Sequence, residues 1–110
     1  MLSISDYVEA IHNLAIKKGW WTEPKTFGDV IALCHSELSE ALEEFRNGRK
    51  PTEIYYSDGG KPEGIPIELA DVVIRVFDFC GKEGIDIESA ILEKHNFNKT
   101  RPTRHGGKVI

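Results

Sequence analysis

The sequence predicts an all-α fold, an antiparallel helical bundle of about four helices completed by oligomerisation. Apolar residues recur at three- and four-residue intervals in successive stretches, each closed by glycine, proline or a polar turn. The stretch that breaks this rhythm, residues 49–66, holds three of the five prolines and reads as a loop. At 110 residues the chain fits one domain, residues 1–110. So short a chain buries a modest core, and a helical one often completes that core with a second copy.

In residues 3–18, Ile4, Val8, Ile11 and Ala15 fall at helical spacing with Leu14 beside them. Ser3 or Ser5 serves as N-cap and Gly19 as the stop. Trp20 and Trp21 follow in a short connection to Thr26. The second helix runs from near Thr26 to Asn47, where Phe27, Val30, Ile31, Cys34, Leu38, Ala41, Leu42 and Phe45 mark one buried stripe. Gly48 ends it, and the loop beyond carries a short strand or hairpin at Glu53–Tyr56. Pro66 stands near the start of a third helix, a favoured place for proline, and that helix stops near Gly81 or Gly84. Its apolar residues, from Ile67 to Cys80, cover more than one face, which predicts burial on several sides, part of it against another subunit. Asp86 caps a fourth helix through Asn98, and Pro102 and the Gly106-Gly107 pair end regular structure.

Composition narrows the function classes. Hydrophobic content of 40% and charged content of 29% are ordinary for a globular protein. The apolar runs are only a few residues long, too short for a membrane span. The opening residues MLSISDYVEA lack a basic region followed by an apolar stretch, so no secretory signal is expected. Cys34 and Cys80 could pair, but two buried thiols in a reducing cytoplasm suit their helical positions better. The net charge of −4 hides an asymmetry: all 18 acidic residues lie at or before Glu93, while Lys94, Lys99, Arg101, Arg104 and Lys108 follow. An acidic body with a basic end argues against a nucleic-acid partner, whose sites spread basic charge over a face. It suits a site that holds a cation and grips a phosphate chain. The bland alternative, basic residues answering a helix dipole, accounts for one or two of the five charges. None of the Gly-Lys pairs is followed by Ser or Thr, which excludes a phosphate-binding loop of the Walker type.

The informative feature is a pair of pairs. Glu37-Leu38-Ser39-Glu40 lies on the second helix and Glu68-Leu69-Ala70-Asp71 on the third. Residues three apart on a helix are neighbours, with Cβ atoms about 5–6 Å apart, so each pair aims two carboxylates into one space. Antiparallel packing of the two helices can bring the pairs face to face. Converging carboxylates raise each other's pKa values, and a divalent cation stabilises such a cluster. Oxygen ligands without Cys or His select hard ions, so Mg²⁺ is expected and Mn²⁺ can substitute. A single Glu-x-x-Glu is common on solvated helix faces and means little; Glu43, Glu44, Glu53 and Glu63 read that way. Two acidic pairs inside apolar helix faces are harder to dismiss.

The spacing Glu37-x-x-Glu40, then 27 residues, then Glu68-x-x-Asp71 resembles the signature of the MazG-like, all-α nucleoside triphosphate pyrophosphohydrolases. The stretch GIPIELADVVIRVFDF is similar to that family's third helix, KHNFNKTRPTRHGGK to its C-terminal motif, and the opening helix ending in Lys-Gly-Trp is similar too. The resemblance implies a homodimeric or homotetrameric enzyme that hydrolyses NTPs or dNTPs, canonical or altered, to the monophosphate and pyrophosphate, in nucleotide-pool housecleaning. It implies Glu37, Glu40, Glu68 and Asp71 as ligands, with Glu37 and Glu40 also serving catalysis. One departure matters: many members carry a further glutamate just before the first pair, where this chain has Ser36. The base that activates water is therefore open among Glu37, Glu40 and, more weakly, Glu43 or Glu44.

Lys94 and Asn98, four apart on one helix face, match the family motif and are expected to bind phosphate. Arg101 and Arg104 are candidates for the leaving pyrophosphate, though a solvated tail explains them equally well. His12, Asn13, Trp20 and Trp21 are candidates for the base slot. A Trp pair more often fills a core or an interface than forms a stacking platform, and His12 also reads as a helix-surface residue. Two other readings stand: phosphoribosyl-ATP hydrolysis within the same superfamily, and a non-catalytic helical oligomerisation or regulatory module that keeps a metal site.

Overall fold

In the computed structural model of the chain, residues 1–103 and Val109 are described, and they form an all-α architecture. Helix α1 spans Ile4–Lys17, α2 Phe27–Arg46, α3 Ile65–Glu83 and α4 Ile87–Lys99. The first two begin with capping boxes. Ser3 accepts from the Asp6 amide while Asp6 accepts from the Ser3 amide, and Thr26 and Asp29 repeat the exchange. Gly84, at φ +69°, closes α3 in the left-handed conformation that glycine adopts without a Cβ penalty.

Helix α3 packs along both α2 and α1, while α4 touches α1 lightly. Phe27 meets Phe79 at a centroid distance of 5.2 Å, and farther along α2 Glu37 meets Arg75. The numbers rise on one helix as they fall on the other, so α2 and α3 run antiparallel. On the other side of α3, Asp78 binds both His12 of α1 and Trp21. A Cβ added at Gly81 would lie 2.6 Å from the His12 Cβ, so α1 crosses α3 where only glycine leaves room.

The α2–α3 connection is a hairpin. Strands β1 (Tyr55–Tyr56) and β2 (Pro62–Glu63) pair antiparallel, with Tyr55 opposite Glu63 and Tyr56 opposite Pro62, around a 3₁₀ turn at Asp58–Gly60. Of the short strand or hairpin expected at Glu53–Tyr56, the hairpin is found, with its first arm shortened to Tyr55–Tyr56 and its second at Pro62–Glu63. Its base is anchored to α2: the Tyr55 hydroxyl donates to Glu44 at 2.7 Å, and Arg49 stacks on the Tyr55 ring while donating to Glu53.

The core is thin. Val30, Cys34, Ala41, Ile65 and Cys80 are its buried apolar residues, and the two cysteines are unlinked. The apolar stripe expected on α2 divides. Val30, Cys34, Glu37 and Ala41 face α3, whereas Phe27, Ile31, Leu38, Leu42 and Phe45 are exposed. Burial of α3 on several sides is likewise not realised within one chain, since Leu69, Val73, Ile74 and Val76 are exposed. Two neighbours cover only two sides of a helix that is apolar nearly all round. Among the described residues, no helix is long and apolar enough to cross a membrane.

Candidate metal centre

The i, i+3 spacing on α2 turns Glu37 and Glu40 toward α3, and the antiparallel register sets Glu68 opposite them. Carboxylate oxygens of Glu37, Glu40 and Glu68 all lie within 4.8 Å of one another. Glu37 is buried, Glu68 half-buried and Glu40 exposed, so the cluster opens to solvent on the Glu40 side. Asp71 stands outside this trio but within its field. Burial first, then the charge of Glu37, raises the Asp71 carboxyl above the usual carboxylate range; Arg75 opposes the shift and Glu40 adds to it.

Arg75 organises the buried member. Its Nε and Nη2 donate to the same oxygen, Glu37 Oε1, at 3.1 and 2.9 Å, which leaves Oε2 of Glu37 outside that pair. Glu68 is the strained one. Its Oε2 is buried and, with every carboxylate ionised, has no hydrogen-bond partner. Such an orphan costs on the order of 1–3 kcal/mol, more when charged. A shared proton relieves it: burial, hydrogen bonds with Glu40 and Glu37, and the charges of Glu40 and Asp71 push Glu68 up to about 8. A cation would relieve it too. The donor set is all oxygen, which fits a hard ion such as Mg²⁺ or Mn²⁺ and not a thiophilic metal.

Beside the carboxylates lies a groove of about 540 Å³. Glu37 and Asp71 border one side, Trp20 and the apolar Ile11, Leu14, Ala15 and Ile74 form walls, and Lys18, Lys61 and Arg75 supply positive charge. Trp20 is half exposed, and the Arg75 guanidinium lies 5.5 Å from its ring centroid.

Of the four base-slot candidates, Trp20 borders this groove. Trp21 and His12 are engaged elsewhere. Trp21 Nε1 donates to Asp78 at 2.9 Å, His12 Nδ1 contacts Asp78 Oδ1 at 2.7 Å, and the two rings meet edge to face. Asn13 lines a separate cavity of about 320 Å³ with His12 and Cys80. The phosphate-binding candidates on α4 do not border the groove either. Lys94 and Asn98 are exposed on α4, and Lys94 Nζ lies 5.1 Å from the Phe97 ring centroid. Arg101 is half-buried and packs near the same ring. Arg104 lies outside the described residues. Ser36 is exposed on α2, and Glu44 is held by the Tyr55 hydroxyl.

Four charged residues at or next to the site, Lys18, Lys61, Arg75 and Asp78, escaped the reading of the sequence. Arg75 and Asp78 are charges embedded in the apolar run Val72–Cys80, and a charge in such a run signals a buried partner. Lys61 sits in a loop segment that carried no signal of its own. Compared with family models, curated proteins and solved structures, the chain finds no match.

Proposed function

We propose that this protein is a Mg²⁺-dependent nucleoside triphosphate pyrophosphohydrolase, converting NTPs or dNTPs to the monophosphate and pyrophosphate. The observation that carries the reading is the carboxylate trio within 4.8 Å, with the buried Glu68 Oε2 unpaired. Four acids on two helices are costly to assemble without a cation, and hydrolysis of a phosphoric anhydride is the chemistry that a hard cation beside an open groove supports. The choice of triphosphate and of the α–β bond rests on the sequence resemblance.

In this reading Glu37, Glu40, Glu68 and Asp71 hold the cation, with Glu37 oriented by Arg75. When bound, the cation would neutralise the triphosphate charge and polarise the phosphorus under attack. Glu40 is the exposed member of the trio and has no ion pair within the described residues. It is the carboxylate placed to orient an incoming water and take its proton, the role that Ser36 leaves vacant. Trp20 supplies an aromatic wall for the base. The apolar lines left open on α2 and α3 are assigned to a homodimer or homotetramer.

The test is product analysis after incubation with a panel of NTPs and dNTPs plus Mg²⁺. Monophosphate and pyrophosphate are expected, with turnover lowered at least about 100-fold in Glu40→Gln and Asp71→Asn, as for loss of charged groups at a phosphoryl-transfer centre. Orthophosphate as product overturns the reading. No turnover of any triphosphate also overturns it, in favour of a helical oligomerisation module.

A further inference from the structure

We infer that Lys61, carried on the α2–α3 hairpin, is a substrate-binding residue that grips the polyphosphate end of the nucleotide; the inference rests on the pyrophosphohydrolase reading. A triphosphate carries three or four negative charges into a site that already holds four carboxylates, so a single divalent cation leaves the complex strongly negative. Cationic side chains must border the groove, and among the described residues these are Lys18, Lys61 and Arg75. Arg75 is committed to Glu37 through two hydrogen bonds. Lys18 follows the C-terminus of α1, beside Trp20, at the end of the groove suited to the base. Lys61 alone of the three lysine and arginine groups is on the hairpin, and its ammonium feels the charges of both Glu68 and Glu40 while itself acting on Asp71.

The hairpin is built to hold that lysine in place. Its base is tied to α2 through Tyr55, Glu44, Arg49 and Glu53. Its exit at Gly64, φ +119°, passes so close to the chain just before β1 that an added Cβ would collide with the Glu53 carbonyl oxygen. The arm is therefore positioned by packing, while the side chain it presents is 76% exposed. The present partner of Lys61 is Glu63, at 3.3 Å on the same arm. Glu63 is half-buried but the lysine is exposed, and an ion pair with an exposed partner contributes little, so the ammonium can exchange it for phosphate oxygens. The basic residues of α4, by contrast, border no part of the groove in this chain.

The experiment measures binding of α,β-imido analogues of dATP, dCTP, dGTP and dUTP, and of the corresponding monophosphates, by calorimetry in Mg²⁺. For the analogue bound best by the wild type, Lys61→Gln is expected to weaken binding about tenfold, the scale of one charge-assisted bond. Monophosphate affinity should change less than about twofold, Mn²⁺ affinity by electron paramagnetic resonance should hold, and Lys61→Arg should restore most of the loss. Triphosphate binding unchanged in Lys61→Gln, or triphosphate and monophosphate weakened alike, overturns the role of Lys61 alone. A wild-type protein that binds Mn²⁺ but none of the analogues overturns the pyrophosphohydrolase reading and this role with it.

Discussion

Glu68 is where burial and charge meet most sharply. Its carboxyl is pushed up to about 8 in the folded chain, from an ordinary value of 4.5. Between these values the folded chain holds a proton that the unfolded chain has lost. The stabilisation is full below about pH 4.5 and disappears as pH rises through about 8. The metal-free protein is therefore expected to lose thermal stability steadily across that window. Mg²⁺ should act in the opposite sense, because a ligand carboxylate must be deprotonated to bind, so its stabilising effect should grow with pH. Thermal melts in EDTA and in Mg²⁺, from about pH 5 to about pH 9, read both slopes. Glu68→Gln should flatten the pH slope in EDTA and abolish most of the difference between the two conditions. Equal slopes in the wild type and Glu68→Gln would remove Glu68 from the explanation. At this scale the acidic residues were legible because the i, i+3 rule places their side chains without knowledge of the fold. Arg75 and Asp78 were not, because their roles depend on which face of α3 meets α2 and which meets α1, a matter of tertiary packing.

Secondary structure was legible where caps and periodicity agree. Ser3, Thr26 and Asp86 start their helices as N-caps, and the glycines after α1, α2 and α3 end them. The loop was expected to carry a short strand or hairpin at Glu53–Tyr56, but the second arm at Pro62–Glu63 went unread, since two-residue strands leave no alternation to read. The four base-slot candidates shared one apparent role, yet α1 geometry separates them: Trp20 borders the groove, while Trp21 and His12 fasten α1 to α3 through Asp78. That fastening depends on Gly81, over which His12 is seated with no room for a methyl group. Gly81→Ala is expected to force α1 outward at a cost of about 1–3 kcal/mol despite the better helix propensity of alanine. Denaturant melts measure the loss, and a red shift of tryptophan emission should accompany it as Trp21 gains water. A neutral or stabilising Gly81→Ala would mean that the two helices do not cross this closely.

The whole molecule is more open than its length requires. A compact domain of this size has a radius of gyration of about 13 Å, whereas this chain measures 16.5 Å. Apolar side chains account for much of what is left uncovered. On α2 the line Ile31, Leu38, Leu42 and Phe45 is exposed, and on α3 Leu69, Val73 and Val76 are exposed at i, i+4 and i+7. Single exposed apolar residues need no explanation, but aligned rows on two adjacent helices exceed what a monomer ordinarily shows to water. We propose that a second copy covers them, because two antiparallel helices from each chain would form a four-helix interface, and a stable interface buries about 800 Å² per partner. Leu42, 58% exposed and within the α2 row, is the position to probe. Leu42→Glu introduces a charge that solvent accepts in a monomer and a closed apolar interface does not. Light scattering should show a dimer or tetramer for the wild type and a smaller species for Leu42→Glu. The melting temperature of the wild type should rise with protein concentration, and that dependence should vanish in the variant. A strictly monomeric wild type would instead leave a chain of thin core standing alone, with the apolar rows serving some other contact.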